Sequence, residues 1–157
     1  MQLDEVTLSI INRCPFTLWI GIQGKSKSDP GWQLPYKGGW ELRSGGVSNI
    51  GVPKDYYAGR IWGRTNCEIK NDGRFECETG DCGFFQCAHD GIERGGQTPA
   101  TLAELTLNGW GNQDYYDVSL VDGYNLPVSM KPKTISPDGS GEYWCTIPSC
   151  TRDLNLI

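Results

Sequence analysis

Three of the seven cysteines crowd into one segment, Gly73-Arg-Phe-Glu-Cys77-Glu-Thr-Gly-Asp81-Cys82-Gly-Phe-Phe-Gln-Cys87. Thiols at that density in a loop-rich stretch suit an oxidising compartment, where they persist as disulfides, and are a liability in the cytosol. A metal site is the alternative use of such a cluster. The 77-82-87 spacing lacks the Cys-x-x-Cys steps typical of zinc, and the single histidine, His89, is a poor fourth ligand. No metal and no cofactor is expected.

The rest of the chain agrees with a small stapled scaffold. Glycine and proline (21 and 9 residues) make up nearly a fifth of the 157 residues. No window of ten or more shows a helical period. Together these predict an all-β domain of many short antiparallel strands and turns. Six Trp, seven Tyr and four Phe supply a core that a disordered Gly/Pro-rich chain would lack. Residues 1–157 read as one domain, without repeat or internal boundary.

Charge excludes some partners. The net charge is −5 with no basic stripe, so nucleic acid is not expected. No stretch approaches the roughly 18 apolar residues of a membrane span. Met1-Gln-Leu-Asp-Glu-Val6 lacks the apolar region of an intact signal peptide. Secretion is therefore expected with the leader absent from this sequence.

Along the chain, Val6-Thr-Leu-Ser-Ile-Ile-Asn12 alternates as a strand, and Phe16–Ile22 reads as its hairpin partner across Cys14-Pro15. Residues 24–46 read as a long surface connection. Tyr57–Arg64 is a further strand. Residues 88–98 read as a polar insertion that leaves His89 solvated. Strands are also expected within Thr98–Leu107 and Asp114–Val128, the latter ended by a turn at Asp122-Gly123.

The 73–87 segment resembles the signature of the thaumatin-like family (osmotin, pathogenesis-related group 5), through Gly73, Phe75, Cys77, Thr79, Gly80, Asp81 and Cys82. Asn12-x-Cys14-Pro-Phe-Thr-x-Trp19 and Gly59-Arg-Ile-Trp-x-Arg-Thr-x-Cys67 extend the likeness. So do Leu102-Ala-Glu104 and Tyr116-Asp117-Val-Ser-Leu-Val-Asp122-Gly. The step from Cys82 to Cys87 departs from the pattern. The resemblance implies an antiparallel β-sandwich with a disulfide-bound loop region. It also implies bridges Cys67–Cys77 and Cys82–Cys87. Cys14, Cys145 and Cys150 would pair with cysteines of a second region not contained here, so the chain is expected to be truncated at its C-terminal end. Intermolecular pairing is the rival account of the odd thiols.

The same resemblance implies an acidic cleft holding Arg60, Glu104, Asp117 and Asp122. A glycosidase needs one protonated and one ionised carboxyl, and clustered carboxylates separate their pKa values. On that reading Glu104 is the general acid, Asp117 the base or nucleophile, and Arg60 the charge that organises them. The bland account also holds. Asp122 can simply initiate a turn, Asp81 can cap its own loop, and residues five apart in a strand face opposite ways. Tyr116 and Tyr124, with Tyr115 and Trp110, lie beside the acids and could stack on sugar rings, although packing is the commoner role.

The expected function is a secreted, monomeric, antifungal defence protein that binds β-1,3-glucan or a related cell-wall carbohydrate through the cleft. The alternatives are a weak endo-β-1,3-glucanase and a non-catalytic ligand of another protein or receptor. With part of the cleft absent, low stability and negligible glucanase activity are expected.

Overall fold

The structure is a computed structural model that describes residues 5–133 and 145–152. In chain order the main strands are β1 (Glu5–Ile11), β2 (Leu18–Ser26), β3 (Gly39–Leu42), β4 (Val47–Pro53), β5 (Tyr56–Ile69) and β6 (Phe75–Thr79). They continue as β7 (Ala88–His89), β8 (Ile92–Glu93), β9 (Leu102–Thr106), β10 (Tyr115–Ser119), β11 (Val128–Ser129) and β12 (Ser149–Cys150).

β1 alternates as its sequence predicts, with Val6, Leu8 and Ile10 turned inward. Its partner differs from expectation. β1 pairs with β4, placing Val6 opposite Val52 and Leu8 opposite Ile50, and no β1–β2 hairpin forms. The reason lies in β2, where Leu18, Ile20, Gly21, Ile22, Gly24 and Ser26 are all buried. A strand covered on both faces belongs inside a larger sheet, whereas one-sided alternation suits a strand with one face in water. β2 accordingly pairs with β3 and β5. Asn12 secures the crossing between the two sheets. Its buried amide donates to the carbonyls of Phe16 and Leu42 at 2.9 Å each, and its Oδ1 accepts from the Cys14 N–H at 2.9 Å.

The larger antiparallel sheet runs β10-β9-β5-β2-β3, with β6 paired to the far end of β5. The β1–β4 sheet covers one of its faces. Between them lies a core of Leu18, Ile20, Ile22, Trp40, Ile50 and Val52, with Leu105 and Tyr56 at its edge. The expected surface connection over 24–46 is thus a misreading: it contains β3 and buries Leu34, Trp40 and Leu42. Isolated apolar residues spaced among Gly, Ser and Lys hide such a strand. Burial of each contributes roughly 1.5–3 kcal/mol.

The opposite face of the large sheet carries a second core of Trp62, Cys82, Cys87, Ala100 and Leu102. Disulfides Cys67–Cys77, across directly opposed positions of β5 and β6, and Cys82–Cys87 staple this region. Asp81 acts as a loop cap: its Oδ1 accepts from Gly83 N–H at 3.0 Å and its carbonyl from Gln97 N–H at 2.7 Å. Residues 88–98 are not a solvated insertion. They contain the β7–β8 pair, and half-buried His89 stacks on Phe84 at 4.1 Å. Arg94 lies 4.7 Å from the same ring and donates to the His89 carbonyl at 2.9 Å. Cys14, Cys145 and Cys150 are free and half-buried.

Candidate functional site

β5, β9 and β10 are neighbours, and their register sets Arg60 opposite Glu104 and Glu104 opposite Asp117. Directly opposed residues of an antiparallel ladder project to the same face, with Cβ atoms about 4.5–5.5 Å apart. A guanidinium and two carboxyls therefore stand in one row across three strands. Alternation puts the row on the face away from the sandwich core, because Ile61, Ala103 and Leu105 point the other way.

Asp122 reaches the row by a different route. β10 ends at Ser119, and a turn follows in which Gly123 N–H donates to the Leu120 carbonyl at 3.0 Å. Gly123 sits at φ +89°, a left-handed conformation that costs a glycine little. The Asp122 carbonyl then accepts from Ala100 N–H at 2.9 Å. This reversal removes the opposite-face problem of residues 117 and 122 and brings the Asp122 charge within reach of Glu104.

An open pocket of about 210 Å³ is lined by Arg60, Glu104, Thr106, Tyr115 and Asp117, together with Ala58 and Gly59. Partial burial and the neighbouring Asp117 raise the Glu104 pKa above the ordinary carboxyl value; Asp122 adds to this and Arg60 opposes it. Glu104 therefore keeps its proton to higher pH than an ordinary carboxyl.

The aromatic residues divide. Tyr116, assigned to the cleft from sequence, is not in it: adjacent to Asp117, it points to the other face, packs on the sandwich core and donates its hydroxyl to the Thr146 carbonyl at 2.9 Å. Tyr115 lines the pocket instead. Its hydroxyl donates to the Trp110 carbonyl at 3.1 Å, within a loop that leaves Trp110 86% exposed. Half-buried Tyr124 follows the turn and is not among the pocket's lining residues. Sequence reasoning passed over Gln23, which lies opposite Arg60 and continues the row onto β2. Its position in the alternation of β2 was legible, but its partner strand was not.

Chemically, the row presents donors and acceptors to a polyhydroxyl ligand. A glycosidase would need a pair of carboxyls set about 5–5.5 Å apart for retention, or wider for inversion, and Glu104 and Asp117 are the directly opposed carboxyl pair of the row. Among the described residues no group of three or more His, Cys, Asp or Glu could hold a metal ion, and no helix is long and apolar enough to cross a membrane.

The chain matches the family model described as "Thaumatin family" over residues 12–157. It is 41% identical over 156 residues to "Pathogenesis-related thaumatin-like protein 3.2" of Cryptomeria japonica, covering 99% of this chain and 58% of that protein. It is 41% identical over 147 residues to "Pathogenesis-related protein 5" of Arabidopsis thaliana, covering 92% and 53%. The chain thus spans about half the length of the curated relatives it matches. Among solved structures it is similar to a thaumatin-like xylanase inhibitor, with 30% identity and a TM-score of 0.53, covering 76% of this chain and 71% of that one.

Proposed function

This chain belongs to the thaumatin family, and on that premise we propose that it serves in extracellular defence by binding β-1,3-glucan or a related cell-wall polysaccharide through the Arg60–Glu104–Asp117 row. The observation that carries this reading is the register, which sets the three side chains across adjacent strands along the lining of an open pocket. A guanidinium donor and two carboxyl acceptors at that spacing suit ring hydroxyls, and the exposed Tyr115 and Trp110 offer apolar faces beside them. Two disulfides accord with an oxidising compartment, and relatives named as pathogenesis-related accord with defence. The test is sedimentation with insoluble β-1,3-glucan. Wild type should co-sediment, and Glu104→Gln combined with Asp117→Asn should reduce the bound fraction at least about tenfold. Equal sedimentation of the two would sink the reading.

A weak endo-β-1,3-glucanase is the second reading, favoured by the raised pKa of Glu104, which suits a general acid. Binding needs only the row itself, whereas hydrolysis also needs Glu104 and a second carboxyl held at a catalytic separation, so binding ranks first. Release of reducing sugar from laminarin, abolished in Glu104→Gln, would reverse that ranking. The likeness to a xylanase inhibitor favours a third reading, a protein ligand of a glycan-degrading enzyme. Dose-dependent inhibition of a xylanase would support it.

A further inference from the structure

Tyr56 and Arg60 lie four residues apart on β5, a spacing that puts two strand residues on one face. They nevertheless point to opposite faces: Tyr56 packs into the sandwich core, and Arg60 stands in the outer row opposite Glu104. The cause is one extra residue between them. Against β2, Lys25 faces Tyr57 and Gln23 faces Arg60, so β5 advances three residues while β2 advances two. Against β9, Leu105 faces Gly59 while the Leu107 N–H donates to the Tyr56 carbonyl at 2.7 Å, the same three-to-two mismatch. Such a β-bulge re-aims the side chains that follow it, because a one-residue slip exchanges the two faces.

Two features hold the bulge at Ala58–Gly59. Exposed Ala58 takes up the extra residue at φ +51°, a left-handed conformation that residues with a side chain rarely adopt. Fully buried Tyr56 clamps it from the core side. Its hydroxyl donates to the Gln23 carbonyl on β2, and its ring fills the space at Gly24 and Gly59, where a Cβ would strike it. The ring also packs against Trp32, with centroids 5.8 Å apart.

Ala58 and Gly59 line the same pocket as Arg60, Glu104 and Asp117, so the strained backbone is part of the site. Strain of this kind persists only where the surrounding structure over-determines it. We propose that Tyr56 is a positioning residue for the cleft: by clamping the Ala58–Gly59 bulge it sets the Arg60 guanidinium beside Glu104, without touching the ligand itself. This rests on the carbohydrate-binding reading above and adds to it the element that orders the charged row. Loss of the clamp lets Arg60 drift from Glu104. The positive charge that opposes the raised Glu104 pKa then weakens.

Carboxyl-resolved NMR of the intact, ligand-free chain reads this directly. Tyr56→Phe keeps the ring and removes the hydroxyl. It should move the Glu104 midpoint to higher pH, as Arg60→Ala does, and the double variant should move no further than Arg60→Ala alone. Co-sedimentation of Tyr56→Phe with insoluble β-1,3-glucan should fall about three- to tenfold. A Tyr56 that only supports the fold would lower stability and leave the midpoint in place, or add its shift to that of Arg60→Ala; either result overturns the proposal. If Tyr56→Phe folds poorly, two variants of similar bulk at Ala58 decide. Ala58→Asn suits the left-handed backbone and should keep the wild-type midpoint, whereas Ala58→Val does not and should raise it. Equal midpoints for the two would overturn the proposal. Failure of wild type to co-sediment would sink the carbohydrate-binding reading, while the midpoints, measured without ligand, still decide the placement of Arg60.

Discussion

Arg60 and Arg64 lie on the same strand and the same face, four residues apart, yet they live in different media. Arg64 is fully buried; its guanidinium donates to the carbonyls of Trp19 (3.2 Å), Ile20 (3.1 Å), Phe84 (2.8 Å) and Phe85 (2.8 Å). Arg60 is exposed and faces carboxyls. What separates them is the lid above β5. The Cys82–Cys87 loop closes over Trp62 and Arg64 and stops before Arg60. Burial lowers the Arg64 pKa to about 10 against the pull of the Asp81 charge, which leaves it cationic at neutral pH. The forked guanidinium suits this place because one group can satisfy carbonyls from two segments, β2 and the 84–85 loop. One arginine thus builds the scaffold, and the other is free to meet a ligand.

The sharpest way to break this contrast is to exchange the two roles. Arg64→Ala should cost about 3–5 kcal/mol in urea unfolding, because it strands four carbonyls in a dry interior. Arg64→Lys should recover less than half of that, since an ammonium cannot fork between the two segments. A loss below about 1 kcal/mol would mean that the buried arginine is not a strut.

Removing the lid should have the next largest effect. The double variant Cys82→Ala/Cys87→Ala should lose about 2–3 kcal/mol and should expose the Trp62 indole, which now donates to the Gly80 carbonyl at 2.8 Å. A red-shifted tryptophan emission in the folded variant would report that exposure. Unchanged emission and stability would show that the second core does not depend on the bridge.

Arg60→Ala should change stability by less than about 0.5 kcal/mol, as expected for an exposed side chain. It should also shift the Glu104 titration to higher pH in carboxyl-resolved NMR, because Arg60 is the charge that opposes the upward shift. A midpoint that stays put would mean the two groups do not communicate across the ladder.

The smallest effect concerns pH. Glu104 titrates above its ordinary value of 4.5 in the folded state, so the folded chain holds that proton more tightly than the unfolded one. Its contribution to stability is fully present below the unfolded pKa and is lost as pH rises through the folded pKa. Glu104→Gln should therefore melt higher relative to wild type at pH 7 than at pH 4, by about 1–3 °C given that the group is partly in water. A gap that is equal at both pH values, or reversed, would remove the carboxyl crowding from the account.

How much of this was legible beforehand differs by element. The alternation of β1, the strand character of residues 57–64 and the lack of an α-helix among the described residues follow from local residue order. The 24–46 segment did not, because its core residues, Leu34, Trp40 and Leu42, are spaced too widely to show a period. Tyr116 was misplaced for the opposite reason. It sits beside the right residue, but neighbours in a strand face opposite ways. Asp117 and Asp122 looked incompatible until the turn at 120–123 folded one back toward the other.

By itself, the residue order determined that this chain would be β-rich and disulfide-stapled, with acids in its strands; Glu104 and Asp117 lie at the centres of β9 and β10 rather than at strand ends. That information is local, carried by periodicity, turn chemistry and cysteine spacing. Only the tertiary structure decided which strands are neighbours: β1 with β4, and β2 with β5. Register then decided that Gln23, Arg60, Glu104 and Asp117 form one row while Arg64 becomes a buried strut. Strand pairing is a contest among long-range contacts won by total burial, and no short window of sequence contains its outcome.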